Sequence, residues 1–350
     1  MTRNKVTQII LALALVAALA IRGFYVKNPI LAGGTMGTGY SVTLSGYVSR
    51  NSLDELQRQI ESELAEINRQ MSTWDAKSEI STFNQSDESG PFEISVAFTE
   101  VIEQALKLSK STGGAFDPTL QPLLNLWGFG SEGHERKVPS DANIAAAKEK
   151  TGADKVWINK SAQLWKAAPE VQLALGAIAK GHGVDTIARL LDKTGHKNWF
   201  VEIGGEVVVR GRNPKEKPWR VGIQHPSSNP AVDKLHGIVN LTEGAVATSG
   251  DYRNYIEQNG VLHSHILDPR SGRAVLSDTA SVTVVAPSCM DADGMATALF
   301  VMGADEGLAW VEDRPEVEAM FLLRGTDGKI IEKFSSGFTV ATSYVPASEN

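Results

Sequence analysis

WFVEIGGEVVVRG, residues 199–211, gathers valine, isoleucine, phenylalanine and tryptophan into a short run broken by paired glycines. Side chains of that kind favour extended backbone, so the run reads as strand. So do WRVGIQH (219–225), LHGIVNL (235–241), ASVTVVAP (280–287) and EAMFLL (318–323). Upstream, GGTMGTGYSVTLSG (33–46) reads as a glycine-punctuated loop entering a strand. Helices do not alternate regularly with these segments. The expected class is therefore α+β, with mixed or antiparallel sheets flanked by helices, and not a doubly wound parallel sheet.

Ser52 stands before Leu53, Leu56, Ile60, Leu64, Ile67 and Met71, which recur at spacings of three and four. That pattern predicts an amphipathic helix capped by Ser52. A second helix is expected over about 97–111, stopped by Gly113 and Gly114, and two more over 140–152 and 178–195, each ended by glycine. No repeat, low-complexity tract or linker follows Ala32, so 33–350 is expected to form a single domain.

The 350 residues are 42% hydrophobic and 21% charged, an ordinary globular balance with enough chain for a sizeable core. A net charge of -7 argues against a general nucleic-acid binder, which needs a basic surface to neutralise phosphates. Cys289 is the single cysteine, so the fold stands without disulfides. Arg3 and Lys5 precede IILALALVAALAI (9–21), an export signal. Two readings of residues 1–32 stay open. ALA (18–20) suits a cleavage site; alternatively 6–26 spans a membrane with Arg22 snorkelling, leaving an uncleaved anchor and tether. Either way the bulk of the chain is expected on the periplasmic side of an inner membrane. No cysteine lies near residue 20, so this is not a lipoprotein.

SCMDADGMATALFVMG (288–303) puts two aspartates ahead of a small, apolar run. A helix beginning near Asp293 would stack the Asp293 carboxylate and the Thr297 hydroxyl on one face of its first turn, while Asp291 would point elsewhere. Two hard oxygens one turn apart suit Mg²⁺, and free first-turn amides would favour phosphate. The simpler reading is that Asp293 caps the helix and Thr297 packs inward. The stretch lacks the later ligands of an EF-hand. In LALGAIAKGHGVD (173–185), Lys180 among small residues can reach a phosphate, or it is an ordinary surface lysine. There is no Walker or dinucleotide fingerprint. In HSHILDPRSG (263–272), His263 and His265 share one side of a strand; a zinc pair lacks a third ligand, and a histidine beside a phosphate can act as general base. STGGAFDPTLQPLLNLWGFG (111–130) offers Phe116, Asp117, Trp127 and Phe129, and MSTWDAKSEISTFN (71–84) offers Trp74, as core or as a clasp for a flat ring. Ser249 has no G-x-S-x-G elbow around it, which disfavours a hydrolase triad.

Taken together and in order, GTMGT, MSTWDAKSEISTFN, GAFDPTLQPLLNLWGFG, AIAKGHGVD, VEIGGEVVVRG, PWRVGIQHP, ATSGDYRNY, SHILDPRSG and DADGMATAL resemble the ApbE family, the FAD:protein FMN transferases. The resemblance runs from about Gly33 to the last strands and implies a T-fold-like architecture. It also implies FAD as substrate, Mg²⁺ as cofactor, and transfer of the FMN half to a threonine or serine hydroxyl with release of AMP. The metal ligands it implies are the Ala177 carbonyl, Asp293 and Thr297. The FAD contacts are Met36, Trp74, Ala115, Phe116, Asp117, Lys180 and Leu267, and the proton acceptor is His265. Implied acceptors are subunits of sodium-pumping NADH:quinone reductase or Rnf-type complexes. One departure is Ala174, where the family usually has aspartate. A metal-dependent FAD pyrophosphatase and a non-catalytic flavin carrier are the rival readings.

Overall fold

Eight strands form one sheet whose spatial order repeats its chain order, every neighbouring pair antiparallel: β1 (Ile30–Thr35), β2 (Thr38–Leu44), β3 (Trp199–Ile203), β4 (Glu206–Arg210), β5 (Glu243–Gly250), β6 (Thr279–Ala286), β7 (Glu318–Arg324) and β8 (Ile330–Phe334). The computed structural model describes residues 24–226, 234–252 and 254–347. The 199–211 stretch becomes the β3–β4 hairpin. Gly204 and Gly205 both take positive φ (62° and 106°), the two-residue turn that suits the twist of paired strands, and Ile203 faces Glu206 across it. Glu206 thereby opens β4.

Five helices matter for the site: α1 (Arg50–Met71), α2 (Val96–Ser111), α3 (Ala179–Lys193), α4 (Cys289–Met302) and α5 (Ala304–Glu312). The predicted apolar stripe of α1 is buried throughout. Its cap is Ser49 and not Ser52, because the Ser49 hydroxyl accepts from the Ser52 amide one turn in. Ser95 caps α2 in the same way. The helix expected over 140–152 is shorter, Asp141–Lys148, and α3 stops at Lys193 ahead of Gly195. Gly33 and Gly34 lie inside β1 and not in a loop, with the Tyr40 ring of β2 over Gly33. The tether expected to reach Ala32 is already folded: Tyr25–Lys27 pairs with Tyr47–Ser49 and turns Val26 toward the core. Residues 9–21, read as a signal or anchor, lie outside the described residues, and among the described ones no helix is long and apolar enough to cross a membrane.

The sheet is buried on both faces. One face carries α1, α3 and α4 over Val42, Val201, Ala245, Val282 and Phe321. The other meets a three-stranded antiparallel sheet (219–224, 235–241 and 345–346) through Val207, Val209, Trp219 and Leu322. This agrees with the α+β expectation. Between β2 and β3 the chain makes one long excursion, residues 45–198, and returns to where it left: the Ser45 amide donates to the Asn198 carbonyl at 2.9 Å.

Candidate active site

The apolar run after the two aspartates is apolar because α4 is enclosed, lying against β5, β6 and α3. Its first residue is Cys289, so Asp293 sits in the second turn and not the first. Ser288 caps it by accepting from the Asp291 amide, which removes the reading of Asp293 as the cap. Nor are the first-turn amides free for phosphate. The Cys289 and Met290 amides donate to the two Asp185 oxygens, each at 2.9 Å, so a carboxylate of this chain already holds the anion position of the helix. Burial pushes the Asp185 carboxyl up to about 6, against the pull of those two amides.

Glycine lets the starts of α3 and α4 touch. A Cβ on Gly181 would lie 2.2 Å from the Cys289 carbonyl oxygen. The close crossing brings the Gly181 amide to Asp293 Oδ2 (3.0 Å) and Lys180 Nζ to Asp293 Oδ1 (3.4 Å). Lys180 also donates to Glu206 Oε1 at 2.7 Å. Asp293 and Glu206 are only 3% and 4% exposed, so two carboxylates and one ammonium share a nearly dry site. Burial pulls the Lys180 ammonium down, but Asp293 and then Glu206 outweigh it and hold the lysine above its ordinary value. Burial pushes the Glu206 carboxyl up. Its Oε2 is buried without a hydrogen-bond partner among the described residues. One turn along α4, the Thr297 hydroxyl lies 3.0 Å from the Ser249 hydroxyl on β5.

Met36 and Gly37 form the β1–β2 turn. Met36 takes φ 49°, a backbone conformation uncommon for a side chain of its size, and its methyl group abuts Gly183 of α3. Asn68 of α1 braces this turn by donating to Thr35 Oγ1. Ala115 and Phe116 are buried, and Trp74 is 74% exposed. Asp117 accepts from the Thr119 amide and hydroxyl (2.7 and 2.6 Å) and the Ala153 amide (3.1 Å), so it ties two loops together. Burial raises its carboxyl, with the Thr119 bonds opposing. The strap leading to Ala177 is pinned twice. Asn84 exchanges hydrogen bonds with the Leu173 backbone, and the Ala174 amide donates to the Pro118 carbonyl at 2.7 Å.

Both histidines face the 121–130 segment, His263 beside Trp127 and His265 beside Phe129, with ring centres 5.9 and 6.3 Å apart. Among the described residues no three His, Cys, Asp or Glu side chains cluster as a metal site, so the zinc pair has no support. Trp127 is core, its indole donating to the Gly272 carbonyl. His265 Nδ1 lies 3.1 Å from the Asn254 carbonyl. A carbonyl only accepts, so Nδ1 carries the proton and the neutral ring keeps its lone pair on Nε2. Burial lowers the His265 pKa, with the Lys180 and Arg136 charges acting the same way and the Asn254 hydrogen bond and the Asp251 charge opposing. Leu267 is buried nearby in the cluster that holds Leu123 and Trp127.

The structure thus joins Lys180 to Asp293, places Thr297 one turn on, and sets His265 within the field of Lys180. Glu206, Ser249 and Asp185 had no assigned role in the sequence. An acid directly ahead of three valines was the available sign of Glu206.

The ApbE family profile matches residues 36–321. The chain is 42% identical over 303 residues to the FAD:protein FMN transferase of Vibrio cholerae, covering 85% of this chain and 88% of that one. It is 38% identical over 339 residues to the FAD:protein FMN transferase of Haemophilus influenzae, covering 95% and 97%. The solved flavin transferase ApbE from Vibrio cholerae superposes with a TM-score of 0.82 at 40% identity, covering 90% of this chain and 99% of that one. Apo flavinyl transferase ApbE from Pseudomonas stutzeri superposes with a TM-score of 0.81 at 36% identity, covering 91% and 98%. Matched in sequence along most of its length and in the course of its backbone, this chain belongs to the ApbE family.

Proposed function

We propose that the chain moves the FMN half of FAD onto a threonine or serine hydroxyl of an acceptor flavoprotein, releasing AMP. The observation that carries this reading is the meeting of the Lys180 ammonium with the buried Asp293 carboxylate, the Thr297 hydroxyl standing one turn along the same helix; to these we add His265, whose Nε2 lone pair is free, as the proposed base. The relatives' names supply the reaction class.

The donor chemistry fits Mg²⁺. Asp293 is a buried carboxylate whose Oδ1 has only a long contact with Lys180, Thr297 offers a hydroxyl, and the Ala177 carbonyl is the third oxygen proposed. One carboxylate with neutral oxygens suits a hard cation that keeps waters and substrate phosphates in its shell. When bound there, Mg²⁺ supplies Lewis acidity to the diphosphate. Lys180 adds positive charge on the same side and is kept in place by Glu206. The Ser249 hydroxyl, 3.0 Å from that of Thr297, is the partner that can take the Thr297 proton when a Thr297 lone pair turns to the metal. Met36, Trp74, Ala115, Phe116, Asp117 and Leu267 are the proposed FAD contacts; the exposed Trp74 ring gains a partner by stacking on a flat ligand. His265 Nε2 takes the proton of the acceptor hydroxyl as its oxygen bonds to the FMN phosphorus, and the bond to the AMP phosphate breaks, AMP leaving with the electron pair.

The acceptors proposed are membrane flavoprotein subunits of the sodium-pumping NADH:quinone reductase or Rnf type, met on the periplasmic side. Incubation with FAD, Mg²⁺ and such a subunit should leave flavin fluorescence on the acceptor band of a denaturing gel, with one AMP per flavin attached. Free FMN and AMP with no labelled band would make the protein a pyrophosphatase. Neither product would make it a carrier.

A further inference from the structure

The ribbon formed by Tyr25–Lys27 and Tyr47–Ser49 has two unlike faces. Val26 and Val48 point to the core, so Tyr25, Lys27 and Tyr47 stand on the opposite side. Tyr25 is 46% exposed, Tyr47 67% and Phe24 67%. The Lys27 ammonium lies 5.7 Å from the centre of the Tyr47 ring, and Arg50 opens α1 directly after the ribbon. Amphipathic rings beside basic side chains are the composition of a bilayer–water boundary, where the ring bodies meet the acyl edge and the cations meet lipid phosphates.

The chain outside the described residues says what covers this face. Residues 9–21 contain no polar side chain, and only Arg22, Gly23 and Phe24 separate Ile21 from Tyr25. Four extended residue steps reach about 14 Å. The headgroup layer on each side of a bilayer is itself about 5–8 Å deep. A chain held in a membrane by that apolar run therefore has its ribbon leashed to the surface.

We propose that Phe24, Tyr25, Lys27 and Tyr47 rest in the headgroup layer of a phospholipid bilayer and hold the domain in one orientation on it. The proposal rests on the retained-anchor reading of the N-terminus, with the span ending short of 26, because Tyr25–Lys27 is paired in the ribbon and Val26 packs on the core. It gives the exposed aromatic face a function: a transferase seated this way meets acceptor hydroxyls close to the membrane by diffusion in two dimensions.

The test uses the full chain, residues 1–350, reconstituted into vesicles of phosphatidylethanolamine and phosphatidylglycerol. Cys289 is fully buried, so Tyr47→Cys and Thr326→Cys each accept a single environment-sensitive fluorophore. Thr326 lies exposed between β7 and β8, at the sheet edge opposite β1 and about 33 Å away across seven strand spacings. The label at 47 is expected to shift to the blue and to be quenched severalfold more by headgroup-spin-labelled lipid than the label at 326. Tyr25→Ser is expected to reduce that difference while the label at 326 stays unchanged. Equal quenching at the two positions overturns the proposal. So does a shift at 47 that follows protein concentration, which identifies a second copy, or one that appears only with an acceptor subunit. N-terminal sequencing of the protein from cells reads the anchor separately: a chain beginning after Ala20 refutes retention, whatever the vesicles show about the face.

Discussion

At the proposed metal site, Ser249 is the neighbour able to take the Thr297 proton and so turn a Thr297 lone pair to the cation. With Ser249→Ala that proton loses its acceptor, and Mg²⁺ affinity measured by titration calorimetry should fall about 10-fold, the size typical of an outer-shell partner; Ser249→Thr should restore it. His265, as the proposed base, should set the pH behaviour of the reaction. Its pKa is lowered from the ordinary 6.5, so the base form persists below that pH, and kcat/KM should hold level from neutrality down past 6.5 before falling. His265→Ala should cost about 10²–10⁴ in rate and remove that acid limb. His182 bears on stability instead. Buried at 1% exposure with Nδ1 unpartnered among the described residues, it is pulled from 6.5 down to about 4. Between those pH values the unfolded chain binds a proton that the folded chain refuses, so stability falls as pH falls through this window, by up to about 3 kcal/mol. Asp185, raised to about 6, acts in the opposite sense between 3.8 and 6, because there the folded form holds the extra proton. His182→Leu should therefore be more stable at pH 4.5 relative to pH 7 than the parent chain is, as read by urea unfolding at both. None of these pairings was legible in the sequence: Ser249 and Thr297 are 48 positions apart, and the His265 partner is a backbone carbonyl.

The crossing of α3 and α4 is the joint on which the site is hung. Gly181→Ala would drive a methyl group into the Cys289 carbonyl, a backbone atom that cannot step aside. It should separate Gly181 from Asp293 and reduce both stability and metal binding. Asp185→Ala should cost about 1–2 kcal/mol in thermal or urea unfolding, since it strips acceptors from two first-turn amides. Helix α1 was readable because its periodicity is local and its whole stripe is buried, Leu53 to Leu64 in one cluster and Ile67 and Met71 in the next. The start of α4 was not. Ser288 and Asp293 are both acceptable caps by composition, and the amides of Cys289 and Met290 that open the helix are held by an aspartate about a hundred positions away. The strands at 199–211 and 280–286 were recognisable from side-chain type, but their order in the sheet depends on contacts that no single segment contains.

Parts of the chain far apart in sequence meet around α4: Lys180 of α3 reaches both Glu206 of β4 and Asp293, and Ser249 of β5 meets Thr297. Binding of FAD with Mg²⁺ should then stabilise the whole molecule, by about 2.7 kcal/mol at a hundredfold excess over Kd, and raise Tm. Asp293→Ala should abolish turnover and lose the magnesium-dependent part of that rise. An undiminished shift would show that the cation sits elsewhere. The order β1 to β8 also fixes how this architecture can be altered. Trp74, Ala115 to Asp117 and Lys180 all lie in residues 45–198, whereas His265, Asp293 and Thr297 follow β3. The excursion leaves and re-enters the sheet across one hydrogen bond, Ser45 to Asn198. It is a cassette with adjoining ends: a segment transplanted from a relative would swap most of the proposed flavin contacts, together with the Ala177 carbonyl, in a single exchange, while His265, Asp293 and Thr297 stay behind.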